Sequence, residues 1–435
     1  MKRLFFVLIL YIFNLPYSFG QFSPGYFALK DVWVIDLVSK KLLPHFTIVI
    51  HHHIIEAIGP SREINIPDSA SVLNYAGKFV MPGLIDTHVH LATDPTGDDN
   101  RARAERDLRD MLLSGITTVR DMAGDARALA SLSRDASLDE IISPDIYYSA
   151  LMAGPGFFKD PRTVQSSGGR AAGDVPWMRA VTDSTDLRAA VSEAKGTGAT
   201  AIKLYAELSA DLAKKITAEA HLQNMLVWSH ANLDQASALD VINAGVNSIS
   251  HAPMITGWPA KKIPDEWVKA GLSEVFWDKA FNGLPVNDLI NAMIANKTIL
   301  DATLVTFKSE IADPAITPEQ QLKYLALYQI GRRFTKLALS RGIPVCTGTD
   351  LDEKKFVQRE IKLLVKDCAV QPIDALICAT RCGAMAIGIE KYVGTIEKGK
   401  LADLVVLSAD PTENIDNLDK VELVIKNGKL FSKSH

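Results

Sequence analysis

Cysteine is scarce in this chain, with four among 435 residues, too few for a disulfide-built scaffold. Cys378 and Cys382 stand four apart in a helical stretch where a disulfide would be strained, so the four thiols read as small buried apolar groups. An excess of one charge is also missing. Lysine and arginine number 47 against 51 aspartates and glutamates, a net −4. With no long basic run, that balance excludes the electrostatic footprint of a nucleic-acid binder. The apolar run LFFVLILYIF at residues 4–13 falls well short of the roughly 20 residues that cross a bilayer. No glycine-rich dinucleotide fingerprint follows the first predicted barrel strand. What is present is ordinary globular usage, 47% hydrophobic and 23% charged, which excludes a disordered or fibrous chain.

That apolar run has Lys2 and Arg3 ahead of it and Pro16, then Ser18-Phe19-Gly20, behind it. A charged start, a short apolar stretch and a small-residue approach predict a signal peptide over residues 1–20. The mature chain is then exported, periplasmic or secreted, with no stable membrane span. Losing Lys2 and Arg3 leaves 45 − 51, a net −6.

The middle of the chain repeats one pattern of amphipathic helix, glycine and apolar β-rich run. Ala104, Leu108, Met111 and Leu112 fall on one helical face, then Gly115 precedes ITTV. The pattern returns at Gly198 before TAIKLY, Gly245 before VNSIS and Gly342 before IPVCTGTD, with Ile330, Phe334, Leu337 and Ala338 marking the last helix. Alternating helices and apolar strands predict βα units and a parallel sheet. Eight candidate strands, near 84–88, 116–121, 145–150, 200–205, 225–230, 248–251, 298–302 and 344–349, suit a (β/α)8 TIM-type barrel better than an open doubly wound sheet. Short β-rich runs at both ends, each too small to bury a core alone, predict one β-sandwich lobe with the barrel inserted. The expected division is residues 21–80 with 390–435 for the lobe and 81–389 for the barrel.

The sharpest chemical feature is PGLIDTHVH at residues 82–90. His88 and His90 are two apart on a strand, so both imidazoles leave one face and can bind one metal ion. His230 closes MLVWSH, His251 closes VNSISH and Asp350 follows PVCTGT. Each ends a predicted strand, the edge where barrel enzymes build their sites. Lys203 alternates with Ile202 and Leu204, which would aim its ammonium into the barrel. A lone buried ammonium is expensive, so Lys203 must be paired, neutral or chemically altered.

These motifs are those of a known family. MPGLIDTHVHL, GITTVRDMAG, AIKLY, VNSISHA, CTGTD and VGTIEKGKLADLVVL make the chain resemble a metal-dependent hydrolase of the amidohydrolase superfamily, imidazolonepropionase-like and prolidase-like branch, over roughly residues 25–432. The resemblance implies a barrel with a split β-sandwich lobe. It makes His88 and His90 ligands of a first metal ion and His230 and His251 ligands of a second. Asp350 would touch the first ion and act as general acid/base. Lys203 takes the place of an N6-carboxylated lysine bridging two divalent ions, zinc by default. Two such ions about 3.5–4 Å apart share a water and lower its pKa toward 7, yielding a hydroxide that attacks the substrate carbonyl while Asp350 carries the proton to the leaving nitrogen. The function implied is hydrolysis of an amide or peptide-like C–N bond in a dipeptide or N-acyl amino acid. Imidazolonepropionase-type cyclic amide hydrolysis, lactonase or phosphotriesterase activity on the same metals, and a non-catalytic binding relative are the alternatives. Homo-oligomerisation is left open.

Weaker signals complete the list. Asp86 either orients a ligand histidine or caps the strand-end turn. Tyr205 should face the same way as Lys203 and could donate to a developing oxyanion. Arg120, or a cation of the long 151–180 segment (Lys159, Arg162, Arg170 or Arg179), could hold a substrate carboxylate. His51, His52 and His53 read as an exposed turn, because successive strand side chains face opposite ways. Trp258, Trp267 and Trp277 read as helix packing ahead of pocket lining.

Overall fold

The computed structural model describes residues 25–93, 100–257, 273–350 and 357–432; the expected signal peptide at 1–20 and Trp258 and Trp267 lie outside these. The chain first lays down five strands, β1 (Tyr26–Asp36), β2 (Lys41–His51), β3 (Ile54–Pro60), β4 (Ser71–Asn74) and β5 (Phe79–Pro82). β1 carries bulges opposite β2, with Asp31 among them at φ 60°. Its first half pairs with β4 and its second half with β5, so one long strand serves two neighbours. The β2–β3 hairpin turns at the three histidines, with His52 at φ 54°.

The barrel follows without a break. Its eight parallel strands are β6 (Leu84–Val89), β7 (Ile116–Asp121), β8 (Asp145–Ala153), β11 (Ala201–Leu204), β12 (Leu226–His230), β13 (Ser248–Ser250), β14 (Ile299–Asp301) and β15 (Val345–Cys346), hydrogen-bonded in that order. The short ribbon β9 (Asp174–Val175) and β10 (Met178–Ala180) adds onto the end of β8. First and last strands close through Thr87 N–H to Thr347 O at 2.9 Å and Asp350 N–H to His88 O at 2.8 Å. The four punctuating glycines, 115, 198, 245 and 342, take φ of 103°, 86°, 89° and 74°, a conformation that glycine adopts without the usual Cβ penalty. The predicted helix faces turn inward, with Ala104, Leu108 and Leu112 buried in one helix and Ile330, Phe334 and Ala338 in another, while Met111 and Leu337 are half-buried. Trp277 is buried in the same core, 1% exposed, as the packing reading requires.

The chain then returns to the lobe with β16 (Leu404–Leu407), β17 (Val421–Lys426) and β18 (Lys429–Phe431). β16 pairs antiparallel with β5, which places strands from both ends in one eight-stranded sheet. Phe27, Leu29, Ile48, Ile50 and Val80 from one end share a core with Leu404, Val406, Leu423 and Ile425 from the other. Neither end could remove that apolar surface from water alone. Among the described residues no helix is long and apolar enough to cross a membrane.

Candidate metal centre

The rim at the C-terminal ends of the barrel strands is backbone-strained. Ala123, Glu207, Asp234, His251, Thr303 and Asp350, each just past a strand, have φ of 110°, 58°, 63°, 71°, 47° and 48°. Such conformations cost about 1–3 kcal/mol each for non-glycine residues and persist only where the surroundings enforce them. Glycine answers the crowding beside His88. A Cβ on Gly348 would lie 2.4 Å from His88 Cβ and 2.7 Å from Asp301 Oδ1.

Asp350 is the hub. Its Oδ1 lies 3.5 Å from His88 Nε2 and 3.2 Å from His90 Nε2, and its Oδ2 lies 3.7 Å from His251 Nδ1. The imidazoles run on from there, with ring centroids 5.0 Å apart for His88–His251 and 4.6 Å for His251–His230. One ligand atom from each of His88, His251 and Asp350 fits within 4.8 Å of the others, the separation of groups that can grip one cation. Lys203, 1% exposed on β11, completes the group. Its Nζ has no hydrogen-bond partner, and its charge is felt by all four imidazoles. The six residues singled out from the sequence therefore meet at one rim.

Hydrogen bonds at the far ring nitrogens set which nitrogen is offered. His88 Nδ1 lies 2.8 Å from Asp301 Oδ2, His90 Nδ1 3.3 Å from Ala123 O and His230 Nδ1 2.9 Å from Asn232 O. Carboxylate and carbonyl oxygens only accept, so Nδ1 of His88 and of His90 donates, which leaves His88 Nε2 its lone pair; His90 Nε2 faces the Asp350 carboxylate, and His230 Nδ1 also lies 3.2 Å from the Asn232 N–H, which would donate to it. His251 Nδ1 faces the Thr303 hydroxyl at 2.8 Å. Burial pulls His88 below its ordinary range, His230 to about 4 and His251 well below its ordinary value. Burial acts the same way on His90, but its hydrogen bond to Asp350 and the charges of Asp350 and Asp121 raise it overall. Burial would raise Asp350, yet His88, His90 and His251 hold it well below the usual carboxylate range. Lys203 is brought down to about 7, first by burial and then by the nearby Arg120 cation, against the opposing pull of Asp301 and Asp350. An unpartnered amine that can lose its charge near neutral pH, among imidazoles and carboxylates, suits carboxylation and divalent cations. Once modified, it would exchange a buried positive charge for two ligand oxygens.

One expectation changes, and of the two readings of Asp86 the capping one holds. Arg120 does not face substrate. It is fully buried inside the barrel, with Nε donating to Thr87 O at 2.5 Å, Nη1 to Ser248 Oγ at 2.9 Å and Nη2 to Asp301 Oδ2 at 3.0 Å. Its guanidinium also lies 4.7 Å over the Trp228 ring, so no face remains for a ligand. Asp86 does not touch an imidazole. It accepts from the backbone N–H groups of His88 and Thr349 and from the Thr349 hydroxyl, tying β6 to the end of the eighth strand. The residue that orients His88 is Asp301, which also accepts from Arg120, Ser250 and Thr87. Sequence reading passed over it. Its only signal was an acidic residue ending the apolar run TIL at the same rim.

Tyr205 sits between Phe157, tilted against it at 4.7 Å, and His230, edge-on at 4.9 Å, and burial holds its phenol protonated. Arg162 stands beside that phenol, held by bonds of 3.0 and 2.8 Å to Asp160. Arg179 is spent on Asp174 and Glu193. The 151–180 segment is pinned across the site where Gly156 N–H donates to Glu207 Oε2 at 2.7 Å; a Cβ on Gly156 would fall 2.3 Å from that carboxylate.

Comparison with known proteins gives this geometry relatives. The amidohydrolase family model matches residues 79–431. An imidazolonepropionase of Thermoplasma acidophilum is 31% identical over 140 residues, covering 30% of this chain and 32% of its own. A 5-methylthioadenosine/S-adenosylhomocysteine deaminase of Moorella thermoacetica is 34% identical over 137 residues, covering 26% and 31%. The chain thus spans about a third of the length of these curated relatives. Among solved structures, a prolidase complexed with N-methylphosphonate-L-proline is 25% identical, with TM-score 0.74 over 94% of this chain and 100% of that one. A Xaa-Pro dipeptidase with bound methionine shares the fold at 23% identity and TM-score 0.74, over 94% and 100%.

Proposed function

We propose, on the premise that the chain belongs to the amidohydrolase family, that it is a metal-dependent hydrolase of C–N bonds whose substrate is a dipeptide or N-acyl amino acid, prolidase-like in kind. The observation that carries this reading is the unpartnered Lys203 Nζ buried among four imidazoles and Asp350. His88, His90 and Asp350 would hold one divalent ion, zinc by default, and His230 and His251 a second. Lys203 as its carbamate would bridge them; the amine adds to carbon dioxide and releases one proton. When bound, the ions supply Lewis acidity that polarises a carbonyl and lowers the pKa of water.

The chain's own residues do the rest. Asp350 enters ionised, kept so by its imidazole neighbours, and is placed to accept a proton from water and return it to the leaving nitrogen. Tyr205 keeps its phenolic proton and can donate to the oxygen that gains charge. The likeness to an imidazolonepropionase supports cyclic amide hydrolysis as the second reading. Export of the enzyme belongs to the same proposal.

Metal analysis of the purified protein, with a screen of Xaa-Pro dipeptides and N-acyl amino acids with and without chelator, tests it. About two ions per chain and chelator-sensitive release of an amino acid are expected. Metal-free protein with chelator-insensitive activity would overturn it.

A further inference from the structure

Resting on that reading of the metal centre, we propose that Glu360 is a positioning residue, holding His251 and Asp350 in register by capping a helix that touches both. The helix Leu304–Ile311 starts just past β14 and lacks a cap of its own, since Thr303 makes no side-chain capping bond. The opening N–H groups of a helix have no partner within it. Here Leu304 N–H donates to Glu360 Oε1 at 2.9 Å and Val305 N–H to Oε2 at 2.6 Å. Glu360 is fully buried and comes from another helix, Gln358–Lys366, more than fifty residues further along the chain. Burial pushes its carboxyl up to about 8, while the two backbone donors pull it down. Each oxygen faces an N–H at the helix N-terminus, so both serve as acceptors and the cap needs the two of them.

The same helix start reaches the metal centre in two places. Thr303 puts its hydroxyl 2.8 Å from His251 Nδ1. Thr306 donates to Thr349 O at 2.6 Å and to Asp350 O at 3.2 Å. His251, Thr303 and Asp350 all hold positive φ, at 71°, 47° and 48°. Three strained residues on three successive strand ends need an external constraint. Glu360 supplies it through the helix, its own carboxyl bonding to Leu304 and Val305 rather than to His251 or Asp350.

A buried cap that served stability alone would leave the metal and the rate untouched, which makes the two roles separable. Glu360→Gln keeps the shape but leaves one carbonyl oxygen for two N–H donors. In that variant kcat should fall about 10–100-fold with KM little changed, and cobalt, titrated against a chelator, should bind about 10–100-fold more weakly at one position with an altered absorption spectrum. Thr303→Val, which cuts the link to His251 and spares Glu360, should give the same signature. The double variant should be no worse than the more severe single one. Glu360→Gln protein that melts earlier yet keeps the parent kcat, cobalt affinity and spectrum would overturn the proposal. If Glu360→Gln does not fold, Thr303→Val and Thr306→Val decide, and parental cobalt affinity in both would overturn it. A parent chain that binds no metal and hydrolyses nothing sinks the functional reading instead.

Discussion

Two lysines are buried in this molecule to nearly the same depth and meet opposite fates. Lys426, 3% exposed where β17 of the lobe meets the barrel, has Asp145 at 2.7 Å and Asp403 at 3.2 Å. Burial would lower its pKa, but the two carboxylates raise it above the ordinary value. Lys203, 1% exposed inside the barrel, has no hydrogen-bond partner and is brought down to about 7. At the seam, the side chain's electrostatic needs are met by the fold. At the rim they are not, and sites with unmet needs are where proteins hold ligands and do chemistry. Variants at the rim should therefore lose rate, and variants at the seam should lose stability.

The largest effect belongs to the rim. Asp350→Asn should reduce kcat by about 10²–10⁴-fold, the usual contribution of a general acid/base, with little change in melting temperature. Steady-state kinetics beside calorimetry checks both halves, and parental kinetics would remove Asp350 from proton transfer. Lys203→Met comes next and should look paradoxical. Bound metal should drop from about two ions per chain toward one and turnover should be suppressed, yet the metal-free protein should gain roughly 1–3 kcal/mol by losing an unsatisfied buried amine. Elemental analysis and thermal melts under chelator read the two effects separately. Lys426→Met is the mirror image. Stranding the Asp145 and Asp403 carboxylates should cost about 3 kcal/mol, with metal content and kcat unchanged. A lost metal ion in that variant would erase the distinction between the two regions.

How well the chain could be read in advance follows the same division. His88 and His90 announced themselves by standing two apart on one strand, and His230, His251 and Asp350 because each ends a predicted strand, and strand ends in a barrel share one rim. Lys203 stood out because a cation interrupting AIKLY has no cheap burial. The lobe was legible as two incomplete halves, since neither end carries enough apolar surface for a core. What escaped were residues whose partners are distant in sequence. Asp301 orients His88 from 213 positions away, and nothing local to TILDA distinguishes it from a strand-end turn. Arg120 was misread for the same reason. Its end-of-strand position looked like the rim, whereas its guanidinium turns inward to Ser248 and Asp301. Glu360 looks in sequence like any acidic residue of an amphipathic helix, and only the fold brings it under Leu304 and Val305. The positions of the candidate ligands are set by strand grammar, but the contacts that orient them are set by packing.

The smallest effect offers the finest test of the seam. A lysine whose folded pKa is raised contributes stability in full below its unfolded value, near 10.4, and loses it as pH climbs through the folded value. The groups facing Lys426 are Asp145, Asp403 and Tyr147, the last with Tyr392 beside it. Burial, with Asp145 next, pushes Tyr147 up to about 12, so its phenol stays neutral across most of that window. Burial also holds Asp403 above the usual carboxylate range, which sets the acid limit of the pair. The difference in melting temperature between the parent and Lys426→Met should therefore stay level from about pH 6 to 10 and shrink above about 10.5. Calorimetry across that range reads it directly. An amine like Lys203, depressed rather than raised, would give the opposite slope, with stability climbing as pH rises from about 7. A gap that changed steadily between pH 7 and 9 would mean that Lys426 is not held as an ion pair, and the contrast between seam and rim would fail at its structural end.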